Sequence, residues 1–215
     1  AGSNAGDSFT GTDANNNTLI GKDAGTAITT GNQNLAIGRD ALAANTDGSD
    51  SIAIGQDALS VGTSLTQQLA IGSNAGKNTT GSDNVFVGHE SGTTNTTGSA
   101  NTAIGHRSFM NNTSGADNTA VGIGTLKANT TADDNTAVGK NALTANTTGP
   151  RNTAIGYLAL SSATTAADNT AVGRGSGLTI TTGYGCTYLG VGAGQLATTG
   201  YQNVGIGKDS LRVNT

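Results

Sequence analysis

Tryptophan is absent from this 215-residue sequence, and proline, cysteine and methionine occur once each. Aromatic residues make up 3% and charged residues 11%, where an ordinary globular domain carries about 25% charge. So few aromatics exclude a large aromatic core, and so little Glu and Lys excludes a coiled-coil seam. A single cysteine, Cys186, forms no intramolecular disulfide, and no Cys/His cluster has the spacing of structural zinc. The net charge of −4 argues against binding nucleic acid through a basic surface. No apolar run approaches the roughly 20 residues of a membrane helix, so no membrane insertion is expected. The chain begins at Ala1 without a signal-peptide pattern, which reads as a processed product or a fragment.

What the sequence has is glycine and a period. There are 34 glycines, more than twice the usual share of roughly 7%. Twelve of them, each preceded by Ile, Val or once Leu, recur as anchors: Gly21, Gly38, Gly55, Gly72, Gly88, Gly105, Gly122, Gly139, Gly156, Gly173, Gly190 and Gly207. The step is 17 residues throughout, except 16 between Gly72 and Gly88. Other positions keep their chemistry relative to these anchors. Four residues before the anchor stand Asn17, Asn34, Asn84, Asn101, Asn118, Asn135, Asn152, Asn169 and Asn203. Eight after it, with the one-residue deletion placed at Lys77–Asn78, stand Thr29, Thr46, Thr63, Thr79, Thr96, Thr113, Thr130, Thr147, Thr164, Thr181, Thr198 and Thr215.

A constant period with fixed residue classes means identical units stacked along an axis. Seventeen residues are too few for helical solenoid repeats, which need about 33 to 47, and Gly, Asn and Thr are poor helix formers. Runs such as Asn101-Thr102-Ala103-Ile104-Gly105 alternate with period two and read as strands. Asn-Thr-Thr-Gly runs read as turns. The fold expected is all-β: one parallel β-solenoid (β-roll) domain over 1–215, of about twelve 17-residue coils. At about 4.8 Å per coil it forms a rod roughly 57 Å long. Within each strand, the Ile/Val position and the one two before it are expected to face inward with the Leu/Gly position four after the anchor. The intervening Ala position admits Leu19, Phe86 and Tyr188. Such exchanges overpack a tight interior, so this wall is expected to face outward and serve as a packing face between copies.

Asn101-Thr102-Ala103-Ile104-Gly105 with His106-Arg107-Ser108-Phe109, and Asn135-Thr136-Ala137-Val138-Gly139 with Lys140-Asn141-Ala142-Leu143, resemble the head repeats of trimeric autotransporter adhesins and related repeats in bacteriophage tail-fibre proteins. The resemblance covers the whole chain as a repeat type. It implies a left-handed parallel β-roll, three chains side by side, and an adhesive or structural role outside the cell. The repeat here is longer than the usual head repeat, with the extra residues in the Asn-Thr-Thr-Gly turn. No neck, coiled-coil stalk or membrane anchor accompanies it.

Candidate chemistry is sparse. His89 and His106 follow successive anchors and stack one coil apart. They are read as a surface column shared with Lys22, Arg39, Lys140, Arg174 and Lys208, and no metal or other cofactor is expected. Asp50, Asp83, Asp117, Asp134 and Asp168 precede the Asn column and read as a solvated acidic stripe; the glycine-rich nonapeptide of calcium β-rolls is absent. The Asn column reads as an amide ladder. Cys186 falls within it as a buried or interfacial thiol without a redox role. Sequons begin at Asn16, Asn78, Asn95, Asn111, Asn112, Asn129 and Asn146, although turn chemistry explains them without sugar. No Ser/His/Asp set stands out from the repeat, and no enzyme is expected.

Two functions fit the pattern. The first is a non-enzymatic structural or adhesive fibre subunit, at a cell surface or on a virion. It would associate with itself as a homotrimer or an end-to-end filament and could meet a cell-surface receptor. The chain shows no capping segment at either end, so the ends are expected to be adhesive. The second is an ice-binding protein that uses the Thr ladder. Ice-binding faces generally use Thr-x-Thr, whereas here the second Thr is adjacent, as in Thr147-Thr148. A turn-stabilising hydroxyl ladder is therefore the favoured reading of that column.

Overall fold

The computed structural model describes residues 2–7 and 14–213; Thr215, the last position of the Thr series, lies outside them. Twelve three-residue strands run from β1 (Thr18–Ile20), β2 (Leu35–Ile37), β3 (Ile52–Ile54), β4 (Leu69–Ile71), β5 (Val85–Val87) and β6 (Thr102–Ile104) to β7 (Thr119–Val121), β8 (Thr136–Val138), β9 (Thr153–Ile155), β10 (Thr170–Val172), β11 (Thr187–Leu189) and β12 (Val204–Ile206). They form one parallel sheet in chain order. Each residue pairs with the one 17 positions on, as Ala120 with Ala137, and 16 on where Leu69 meets Val85. The chain is a parallel β-solenoid, one strand per coil. The remaining walls are stacked turns whose amides also bond along the axis, as Leu126 N to Ala142 O (3.1 Å) and Thr130 N to Thr147 O (3.0 Å).

The anchor glycines turn the chain out of the strand. Their φ values lie between 109° and 138°, a region L-residues avoid. A Cβ at any of them except Gly207 would also strike the next coil: at Gly55 it would lie 2.5 Å from the carbonyl oxygen of Gly72. Conformation and contact together demand glycine once per coil.

The inside of the coil reverses the expected orientation. Ala36, Ala53, Ala70, Ala103, Ala120, Ala137, Ala154 and Ala171 are wholly buried. The flanking Ile, Val and Thr positions are half-buried or exposed, as Ile104 at 39% and Ile155 at 39%. A three-residue strand with period two sends its middle residue one way and both neighbours the other, and a coil this narrow has room for the single small one. The Ala wall is therefore core, and it is not available as a packing face between copies. The large residues in that column are accommodated by glycine opposite. Leu42, Leu59, Phe109, Leu126, Leu143 and Leu160 fill the facing column. Beside Phe86 that column holds Gly76 and Gly92, and beside Tyr188 it holds Gly177 and Gly194. A Cβ on Gly76 would lie 2.7 Å from Phe86 Cδ2, and one on Gly92 would enter the same ring. Ala/Leu and Phe/Gly are thus alternative fillings of one volume. The facing leucines adopt left-handed φ, from 48° to 52° at Leu42, Leu59, Leu126 and Leu143, so they accept backbone strain in return for burial.

Candidate functional site

Three sets of side chains repeat along the rod: an amide ladder inside, a hydroxyl ladder at one corner and an aliphatic face outside. In the amide ladder each Asn is pinned on both sides. Asn118 Oδ1 accepts from the backbone N of Asn135 (3.0 Å) and from its Nδ2 (3.2 Å). Asn118 Nδ2 donates to Ala116 O (2.8 Å), Ala132 O (2.9 Å) and Asn101 Oδ1 (3.1 Å). The bonds to the preceding amide oxygen and to the carbonyl 14 residues on recur at Asn101, Asn152 and Asn169, and Asn84 keeps the second of them. Asn17 and Asn34 donate to Gly31 O and Gly48 O, while the carbonyl of Asn203 accepts from Thr187 N. Ser51 and Gln68 fill the column in two coils. Cys186 fills another: its N donates to Asn169 Oδ1 (2.9 Å) and its thiol lies 3.2 Å from Gly200 O.

A second amide ladder went unseen in the sequence. Asn112 Nδ2 donates to Asn95 Oδ1, Asn129 Nδ2 to Asn112 Oδ1 and Asn146 Nδ2 to Asn129 Oδ1. All four asparagines are fully buried, so these sequons present no side chain for a sugar in the folded rod. Their constant position seven after the anchor is the sequence signal of this column.

The hydroxyl ladder is a turn lock. Thr96, Thr113, Thr130 and Thr147 each donate Oγ1 to the Thr carbonyl one coil on, at 2.7–3.0 Å; Thr29, Thr46, Thr164 and Thr181 do the same. Thr80, not Thr79, holds this place in the short coil: its Oγ1 donates to Thr96 O (2.9 Å), whereas Thr79 is wholly buried. The missing residue therefore falls in the turn between Thr80 and Gly81, where its loss leaves every strand in register. Thr63 accepts from Thr46, and Thr198 from Thr181.

The charged side chains sit on the surface. His89 and His106 stack with ring centroids 5.4 Å apart, and with Glu90 their ligand atoms lie within 4.8 Å of one another. Glu90, however, is taken by Arg107 Nε at 2.6 Å. That hydrogen bond is the chief cause holding the Glu90 carboxyl below its usual range. An ion there would have to displace a guanidinium. Asp50, Asp83, Asp117, Asp134 and Asp168 occupy a corner with φ of 58° to 61°, a conformation that Asp tolerates better than most residues. Only Asp117 and Asp134 lie on adjacent coils. Asp168 pairs with Arg151 at 2.7 Å, which lowers its pKa. In the core, burial raises the pKa of the Tyr188 hydroxyl.

The outer face of the sheet is the least ordinary surface. Its two columns contribute 24 positions, from Thr18 and Ile20 to Val204 and Ile206, and none carries a charge. Ile20, Ile52, Ile71, Ile104 and Ile155 are each more than a third exposed. The face measures about 57 Å by about 10 Å, at the upper end of the roughly 300–600 Å² that the largest patch on a typical monomer reaches, and seven of its 24 positions are threonine.

The fold and these faces define a class, the parallel β-solenoid repeat protein. No family model, no curated protein and no solved structure matches the chain.

Proposed function

We propose that the protein is a non-enzymatic fibre subunit that works outside the cell, at a cell surface or on a virion, and that copies pack side by side through the outer face of the sheet. The observation that carries this reading is the uncharged face of aliphatic and threonine side chains on a rod whose charges lie on other walls. Its columns are ruled at one residue per coil. Only a partner with the same pitch can match them along the whole length, and another copy of this chain is such a partner. Burying the face adds favourable apolar area at about 25 cal/mol per Å² to a rod with a thin core. Three copies around a common axis is the arrangement implied by the adhesin heads and tail fibres that the repeats resemble.

Val121 and Val138 are half-buried neighbours on this face. Val121→Glu with Val138→Glu should leave the β signal in circular dichroism intact and reduce the light-scattering mass from a multiple of 21.0 kDa to the single-chain value. A wild-type chain that is monomeric at micromolar concentration, or a double variant with unchanged mass, would overturn the proposed face.

A further inference from the structure

We propose that a groove near the β9–β12 end binds a saccharide unit carrying a carboxylate. The groove has a volume of about 290 Å³ and lies at the corner just past the anchor glycines, lined among others by Tyr157, Arg174, Leu178, Lys208 and Arg212. This volume is at the lower edge of small-ligand sites and suits one sugar ring.

The charge of the corner changes along the rod. Four cations of this corner in earlier coils have acidic partners, Lys22 with Asp23, Arg39 with Asp40 and Asp57, Lys77 with Asp57, and Arg107 with Glu90, whereas Lys127 and Lys140 stand singly and apart. The acids stand two after the anchor. In three late coils that position holds Leu158, Gly175 and Gly192 instead. Arg174, Lys208 and Arg212 consequently line the groove without an ion pair to any described residue, facing Asp209 as its one carboxylate. The groove thus gathers three cations against one carboxylate.

Shape changes at the same place. Asp, Asn and Leu occupy the equivalent position in other coils with φ near 57°, so the backbone does not require glycine there. A Cβ on Gly175 would meet nothing closer than 4.0 Å. What glycine supplies is the empty floor of the groove. Tyr157, 46% exposed, and Val191, 38% exposed, provide apolar walls beside Leu178. A guanidinium matches a carboxylate through paired N–H donors, while aromatic and aliphatic walls suit the C–H face of a sugar ring. The overall charge of −4 opposes a nucleic-acid ligand.

The test is ¹⁵N NMR titration, or calorimetry, of the whole chain with glucuronate, using glucose and acetate as controls. Saturable binding of glucuronate is expected, with shifts at Gly175 and Gly192, and with acetate and glucose at least tenfold weaker. Arg174→Ala with Arg212→Ala should weaken glucuronate at least tenfold. Gly175→Asp, which introduces the acid held at this position by Asp23, Asp40 and Asp57, should do the same with the fold intact. Lys140→Ala, a cation outside the groove, should have no effect. Absence of binding, equal binding of acetate, or binding indifferent to the groove variants would each overturn the proposal.

Discussion

Phe86→Ala should cost about 3–5 kcal/mol, and Gly92→Leu should also destabilise by forcing a side chain into the Phe86 ring. The two together should cost less than the sum of the single losses. Phe86 is wholly buried in the column otherwise held by alanine, and the Cβ built on Gly92 overlaps its ring. The double variant recreates the Ala/Leu filling found at Ala120 with Leu126 and at Ala137 with Leu143. Leucine tolerates the backbone there, since Gly92 has φ 59° and Leu59 has φ 50°. A coupling of about 2 kcal/mol in favour of the pair is expected, within the range for residues in contact. Thermal unfolding of the four proteins measures it. Additive losses would show that the column residues do not exchange volume.

Asn118→Ala should cost about 3 kcal/mol, because it leaves the buried backbone N and side-chain amide of Asn135 without their acceptor and opens the contacts to Ala116 and Ala132. Each buried polar group left unpaired costs about 1–3 kcal/mol. Asn118→Ser should cost roughly half as much, since Ser51 in the same column donates to Leu65 O (3.1 Å) and accepts from Gln68 N (3.2 Å). Hydrogen exchange at the Asn135 amide gives a local readout and should accelerate most in the Ala variant. A loss below about 1 kcal/mol would mean that the backbone ladder holds the coils without the amides.

The period alone was enough to read the architecture, because a solenoid repeats its contacts as it repeats its residues. Orientation was not legible in the same way. The aliphatic residues at Ile104 and Val121 look like core, and Tyr188 in an alanine column looks like surface. Both readings treat each column singly. The columns compensate in pairs, with Phe86 answered by Gly92 and Tyr188 by Gly194, and that correlation was present six residues downstream. The αL leucines were hidden for a different reason: no sequence rule places a leucine at positive φ, and only the demand for burial explains it. The groove was hidden because its cations, Arg174, Lys208 and Arg212, come from coils two apart and from two positions of the repeat, and only the coiling brings them together.

Nearly every bond that joins one coil to the next lies along the rod, from the strand pairs to the Asn and Thr ladders. Tension applied between the two ends loads these bonds in series, and no transverse strap shares the force. Such a rod should yield coil by coil from a terminus, each event releasing about 60 Å of chain. Bundled laterally through the sheet face, three rods would carry the load in parallel, and a coil could leave only by also breaking its contact with two neighbours. Mechanical strength would then reside in the bundle, and the single chain would act as a thread.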